Sequence, residues 1–182
     1  MLIQLVAQHP EAIGAILRNT PTWVWGLLAG LVALGASQLR DRTASFFRVS
    51  LMPVAMTAFS VWGTFTALGR SGALAGAIAV WLVAAGIAFA VLAQGRANAR
   101  FDPVRRVYHL PGSFVPLLLI VGVFLVKYVV GVELAMAPRL MQDTQYALTV
   151  AALYGAFTGI FVGRASRLWR LALRPAAAVV PA

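Results

Sequence analysis

The chain contains no cysteine, which excludes disulfides, thiolate metal sites and thiol redox chemistry. Carboxylates are scarce as well: Glu11, Asp41, Asp102, Glu133 and Asp143 are the only acids, against 15 basic residues. They are scattered, so no two are poised as a general acid and base pair. No glycine loop ends in Gly-Lys-Ser, so a phosphate-cradling nucleotide site is excluded. Asp102, His109 and Ser113 share one loop, but nothing in the sequence orients them as a hydrolase would need. No catalytic residue, metal or cofactor is therefore expected.

What the chain has in abundance is apolar surface. Of 182 residues, 61% are hydrophobic and 11% charged, with a mean hydropathy of +0.85. A soluble domain could not keep that much apolar surface from water, so the expected solvent is a lipid bilayer. The net charge of +10 points to anionic phospholipids as partners. Nucleic acid is not an expected partner, because no extended basic stripe is interleaved with aromatics. The first apolar patch, Met1 to Leu17, lacks a basic segment before it, which argues against a cleavable signal peptide.

Five segments are long and apolar enough to cross the roughly 30 Å of hydrocarbon: Pro21–Gln38, Val49–Leu68, Ala73–Ala93, Phe114–Leu134 and Gln145–Gly163. The expected fold is all-α, a polytopic membrane bundle of five helices, because a backbone in lipid must satisfy its own hydrogen bonds. Residues 1–20 form a short outer-face segment, 21–163 the membrane domain with a loop at 94–113, and 164–182 a basic amphipathic tail. Ala176 to Ala182 is expected to be disordered. Basic residues before, between and after the spans number 1, 3, 1, 4, 1 and 4. This alternation places the N-terminus outside and the C-terminus in the cytoplasm. By the same count His9 and His109 lie on opposite sides, so one subunit cannot use both for a metal or haem.

Spans two and four open alike, as Ser50-Leu-Met-Pro53 and Ser113-Phe-Val-Pro116, and spans three and five close alike, at Gly95-Arg96 and Gly163-Arg164. A repeat of two helical hairpins, spans 2–3 and 4–5, is the expectation. Gly155, Gly159 and Gly163 form a groove on span five in which a second helix, or a second copy of the chain, could pack. The pairs Gly26/Gly30 and Gly72/Gly76 show the same spacing. In the loop, Asp102-Pro103 suits a turn and Arg106 to Leu110 a strand, so a short hairpin is expected. Arg105 and Arg106 there, and Arg164, Arg167 and Arg170 in the tail, are expected at lipid head groups.

Lys127, the only lysine, falls inside span four. It sits roughly 20 Å from the cytoplasmic start, with about 10 Å left to the outer boundary. Two readings compete. The side chain could snorkel to outer head groups, although a helical Cα–Cβ bond starts it in the opposite direction. Alternatively it faces the bundle and meets oxygens, the candidates being Tyr128 beside it and the row Thr57, Ser60 and Thr64 on span two, with Tyr154 and Thr158 on span five.

Thr20-Pro-Thr-Trp-Val-Trp-Gly-Leu-Leu, Leu34-Gly-Ala-Ser-Gln-Leu-Arg-Asp-Arg, His109-Leu-Pro-Gly-Ser-Phe-Val-Pro-Leu, Phe124-Leu-Val-Lys-Tyr-Val-Val-Gly-Val and Gly163-Arg-Ala-Ser-Arg-Leu-Trp run over most of the chain. They resemble a family of small proteobacterial inner-membrane proteins that is known only as a domain of unknown function. More distantly, the Pro-Gly-Ser and Lys-Tyr strings are similar to the CcdC membrane proteins linked to cytochrome c biogenesis, but a thiol-handling role would lack its reagent here. The resemblance implies an inner-membrane location and brings no reaction. Two functions fit: a non-enzymatic accessory or scaffold module that associates with itself or a membrane partner, or a small transporter or lipid- and anion-binding protein that uses Lys127.

Overall fold

A computed structural model describes residues 11–68, 72, 74–95 and 98–173. A short helix, α1 (Glu11–Asn19), precedes α2 (Thr22–Ala36), α3 (Phe46–Leu68), α4 (Leu74–Ala93), α5 (Val115–Met136) and α6 (Thr144–Leu173). Five of these are long and apolar enough to cross a membrane, so the protein is a multi-pass membrane protein by length and composition. α4 shows why lipid is required: its mean hydropathy is 2.4, yet only 6% of it is buried in protein. A helix apolar all round has no polar face to offer water. Trp23 and Trp62, each 68% exposed, likewise face the surroundings, as interfacial indoles do. Residues 1–10, residues 69–71 of the second loop, Arg96 and the tail beyond Leu173 lie outside the described residues.

The helices divide into a trio and a pair. α4 lies along α6, and α3 also packs on α6; α2 packs on α5. Glycine makes the first contact possible. A Cβ on Gly155 would stand 2.2 Å from the Trp81 carbonyl oxygen, and one on Gly159 2.2 Å from that of Ala85. Gly163 faces Phe89 and Leu92. The α6 groove is thus filled by α4 of the same chain, and the surface read from sequence as open to a second copy is an internal seam. Gly26 and Gly30 have no neighbour within 4 Å among the described residues.

The tail is not a separate element. α6 continues without a break past Gly163 to Leu173, about 45 Å in all, longer than the hydrocarbon is thick. Its protruding turns hold neighbouring helix ends. Arg167 Nε donates to the Leu92 carbonyl and Arg170 to that of Ala93, the last carbonyls of α4. Arginines at a helix C-terminus satisfy orphan acceptors and complement its negative dipole end. Trp169 Nε1 donates to Ser50 Oγ at 2.9 Å, tying α6 to the start of α3. Arg167 and Arg170, expected at lipid head groups, thus each give one donor to the end of α4.

Beside the helices, the hairpin expected in the loop is joined by a third strand. At the end of the bundle where α3 and α5 begin, β1 (Arg42–Ser45), β2 (Arg100–Asp102) and β3 (Val107–Leu110) form an antiparallel sheet in the order β1-β3-β2. Thr43 stands opposite His109, and Phe101 opposite Tyr108. The β2–β3 hairpin turns at Asp102, whose Oδ1 accepts from the N–H groups of Val104 (2.9 Å) and Arg105 (3.0 Å). Those bonds, Arg105 foremost, hold the Asp102 carboxyl below its ordinary range. Arg106 closes the turn at φ 52, a left-handed conformation that costs a side-chain-bearing residue about 1–2 kcal/mol. Both Arg105 and Arg106 are exposed.

Tyr108 and Ala44 are the buried centre of the sheet, with the Phe101 ring 4.9 Å from that of Tyr108. Burial pushes the Tyr108 phenol above its ordinary pKa. The Pro-Gly-Ser string locks this cap to α2. A Cβ on Gly112 would lie 1.9 Å from the Leu39 carbonyl oxygen, so only glycine admits the approach. The Gly112 N–H donates to Asp41 Oδ1 at 2.8 Å, and that of Ser113 to the Gln38 carbonyl at 3.0 Å.

Candidate functional site at Lys127

The trio and the pair leave a cleft between them. It holds about 990 Å³, is bounded by α2, α3 and α5, and has α1 at the end where Thr20 and Met136 lie. Its walls are apolar, from Leu27 and Leu31 on α2, Met56 and Phe59 on α3, and Ile120 and Phe124 on α5. Only a few polar side chains interrupt them: Asn19 and Thr20 at the α1 end, and Lys127 and Tyr128 on α5.

Lys127 reaches into the bundle. From α5 it crosses toward the trio, where Nζ stands 4.1 Å from the centroid of the Phe59 ring and 4.4 Å from that of Tyr154. The seat exists because α3 carries glycine at this level: a Cβ on Gly63 would lie 2.4 Å from Nζ. The ammonium faces the interior, half-buried. Its neighbours are aromatic faces, where the sequence led us to expect oxygens. Among the described residues it has neither a carboxylate partner nor a hydrogen-bond acceptor. Lysine at the centre of a membrane helix costs about 2.5–3.5 kcal/mol on insertion scales. A desolvated cation over an aromatic face recovers about 2 kcal/mol, so two rings are of the size needed to hold it.

The expected hydroxyl row serves the helices instead. Thr57 Oγ1 donates to the Pro53 carbonyl at 2.8 Å, and Thr64 Oγ1 to that of Ser60 at 2.9 Å. Ser60 is a junction of three helices: its hydroxyl donates to the Tyr154 carbonyl at 3.1 Å and accepts from Trp81 Nε1 at 3.0 Å. Thr158 Oγ1 donates to that same Tyr154 carbonyl at 2.9 Å. Ser60 and Thr158 line a small pocket of about 20 Å³ beside Lys127; Thr57 and Thr64 do not.

Tyr128 turns the other way. Its hydroxyl is 2.6 Å from Thr20 Oγ1, its ring stacks on Phe124 and tilts against Trp25, and it so fastens α5 to the start of α2. Glu133 lies against the Tyr146 phenol on α6.

The sequence pointed to Lys127 and to Tyr154, though as an oxygen and not as a ring, and missed Phe59 and Gly63. Phe59 and Gly63 read as ordinary span residues, since an apolar ring or glycine in a membrane helix carries no signal of its own. The arrangement is a cation at the wall of an apolar cleft, with the nearby Ser60 and Thr158 hydroxyls bonded to the Tyr154 carbonyl. It can attract an anionic group whose remaining bulk is apolar.

No curated protein and no solved structure matches this chain. Residues 1–179 match one family, and the chain belongs to it, the family of unknown function DUF6622.

Proposed function

We propose that this protein binds an anionic amphiphile within the membrane, the negative group at Lys127 and the apolar part in the cleft between α2, α3 and α5. The carrying observation is the position of Nζ: a cation without a counter-charge among the described residues, at the wall of an apolar cleft of about 990 Å³. A lysine held only by ring faces keeps its three N–H donors for an arriving ligand. Binding and handling, not bond chemistry, is the role that these groups support. The accessory or scaffold reading is weaker, because the glycine groove that would have received a second copy is filled by α4.

The test uses the full chain in an uncharged detergent, with a spin-labelled fatty acid and its methyl ester as probes. Wild type binds the acid more tightly than the ester. Lys127→Met lowers affinity for the acid by about tenfold, equivalent to about 1.4 kcal/mol, and leaves the ester unchanged. Lys127→Arg retains part of the preference. Equal binding of acid and ester, or no change with Lys127→Met, overturns the assignment.

The protein in this reading sits in a bacterial inner membrane with its N-terminus outside and the sheet on the cytoplasmic side. The alternating arginine count and the resemblance to inner-membrane proteins support this. Alkaline phosphatase, active only outside the cytoplasm, should be active when fused at Ser71 and inactive when fused at Ala182. The reverse pattern inverts the topology.

A further inference from the structure

The end of the bundle that carries the sheet holds a second cavity, about 350 Å³, within the roughly 300–1,000 Å³ range of small-molecule sites. Phe161 on α6 lies between it and the Lys127 pocket. Four arginines line it: Arg42 of β1, Arg48 in the first turn of α3, and Arg164 and Arg167 on α6. None of the described residues lining it is a carboxylate. Asp41, next to Arg42 in the chain, is engaged with the Gly112 N–H.

Four arginines thus face at most one nearby carboxylate, Asp41. α3 and α5 both begin here, so their positive dipole ends add to the positive charge. Arg42 and Arg48 repel each other, as do Arg164 and Arg167. Burial, and then the Arg48 charge, hold the Arg42 guanidinium below its ordinary pKa. Existing bonds leave most donors over: Arg42 gives one N–H to Gln38 Oε1 at 2.6 Å, and Arg167 uses Nε on Leu92. A guanidinium has five donors, in a fork that matches phosphate oxygens two at a time. Ser113 and Asn98 complete the lining with neutral hydrogen-bonding groups suited to the same ligand.

We propose that this cavity is a binding site for a phosphate-bearing anion, held by Arg42, Arg48 and Arg164. The three come from a strand, from the start of one helix and from the far half of another, so the anion joins the sheet to both α3 and α6. A bound phosphate removes the repulsion between the arginines and stabilises the assembled end of the bundle by mass action. The phosphate belongs either to a lipid head group at the membrane surface or to a free solute.

Thermal unfolding of the full chain tests the site and its source. In an uncharged detergent, inorganic phosphate is titrated against chloride at matched ionic strength. In nanodiscs, phosphatidylglycerol is compared with phosphatidylcholine. A saturable rise in midpoint with inorganic phosphate identifies a free solute; a rise with phosphatidylglycerol alone identifies the head group. Either effect is weakened about tenfold in apparent affinity by Arg42→Gln with Arg48→Gln, and separately by Arg164→Gln. The exposed hairpin variant Arg105→Gln and the cleft variant Lys127→Met leave it unchanged, so this site and the Lys127 site fail separately. Should Arg164→Gln not fold, the Arg42/Arg48 double variant, at side chains more exposed than Arg164, carries the test. No midpoint rise in either medium, or the same rise in wild type and the double variant, overturns the proposal.

Discussion

Gly159→Leu should separate α4 from α6 and destabilise the chain by at least about 3 kcal/mol, at the upper end of what overpacking costs. The reason is what the new side chain would meet. Its first carbon would fall 2.2 Å from the Ala85 carbonyl oxygen and 2.8 Å from the Ala88 Cβ. Neither can swing aside as the tip of a long side chain would, so the helix axes must move apart. With them goes the packing around Ala77, Ala147 and Ala151, where Trp81 joins the cluster. Gly26→Leu on α2, where nothing lies within 4 Å, is the control and should leave stability near wild type. Unfolding in graded denaturing detergent reads both. A Gly159→Leu protein as stable as the Gly26→Leu protein would show that the seam between α4 and α6 is not what holds the trio together.

The second large effect falls on binding. Gly63→Ala places a methyl group 2.4 Å from Lys127 Nζ and 3.2 Å from the Tyr154 ring. Here the crowded atom is the end of a flexible side chain, so the ammonium leaves its seat and the backbone stays. Helix propensity even favours the change, alanine being better than glycine by about 1 kcal/mol. The expected outcome is a folded protein with its lysine intact whose preference for the fatty acid over its ester drops about tenfold. Lys127→Met removes the charge; Gly63→Ala keeps the charge and moves it. If Gly63→Ala binds the acid as tightly as wild type, the position of the ammonium between Phe59 and Tyr154 is irrelevant to the ligand, and charge alone governs binding.

Little of this seat was legible in the sequence, for a definite reason. A lysine in an apolar run announces itself because its cost in lipid is large. Its partners do not, because phenylalanine and glycine cost nothing there. Ser60 and Thr64 drew attention as oxygens, yet in a helix such hydroxyls bond most readily to the carbonyl one turn back, as Thr57, Thr64 and Thr158 do. Tyr128 is adjacent to Lys127 in sequence but points about 100° further around the helix, toward Thr20. The contacts of the arginines were hidden for a related reason: their use on α4 carbonyls or around a cavity depends on where α6 passes.

Hydropathy alone determined that the chain makes five membrane-length helices, because the length needed to cross lipid is fixed and a backbone there satisfies itself only as a helix. The Asp102 turn and its hairpin were determined locally as well, since their hydrogen bonds are made within a few residues. Tertiary structure decided the rest: which helices touch, that the glycine groove faces inward, that Arg42–Ser45 becomes a strand, and that Lys127 crosses to α3 and α6. Each of those is a contact between residues far apart in the chain. Among helices whose outer surfaces are uniformly apolar, no periodicity marks one face for a neighbour and another for lipid. The choice is made by close fit, as at Gly155 and Gly159, where an added Cβ would fall 2.2 Å from an α4 carbonyl oxygen, and that fit exists only once the helices are assembled.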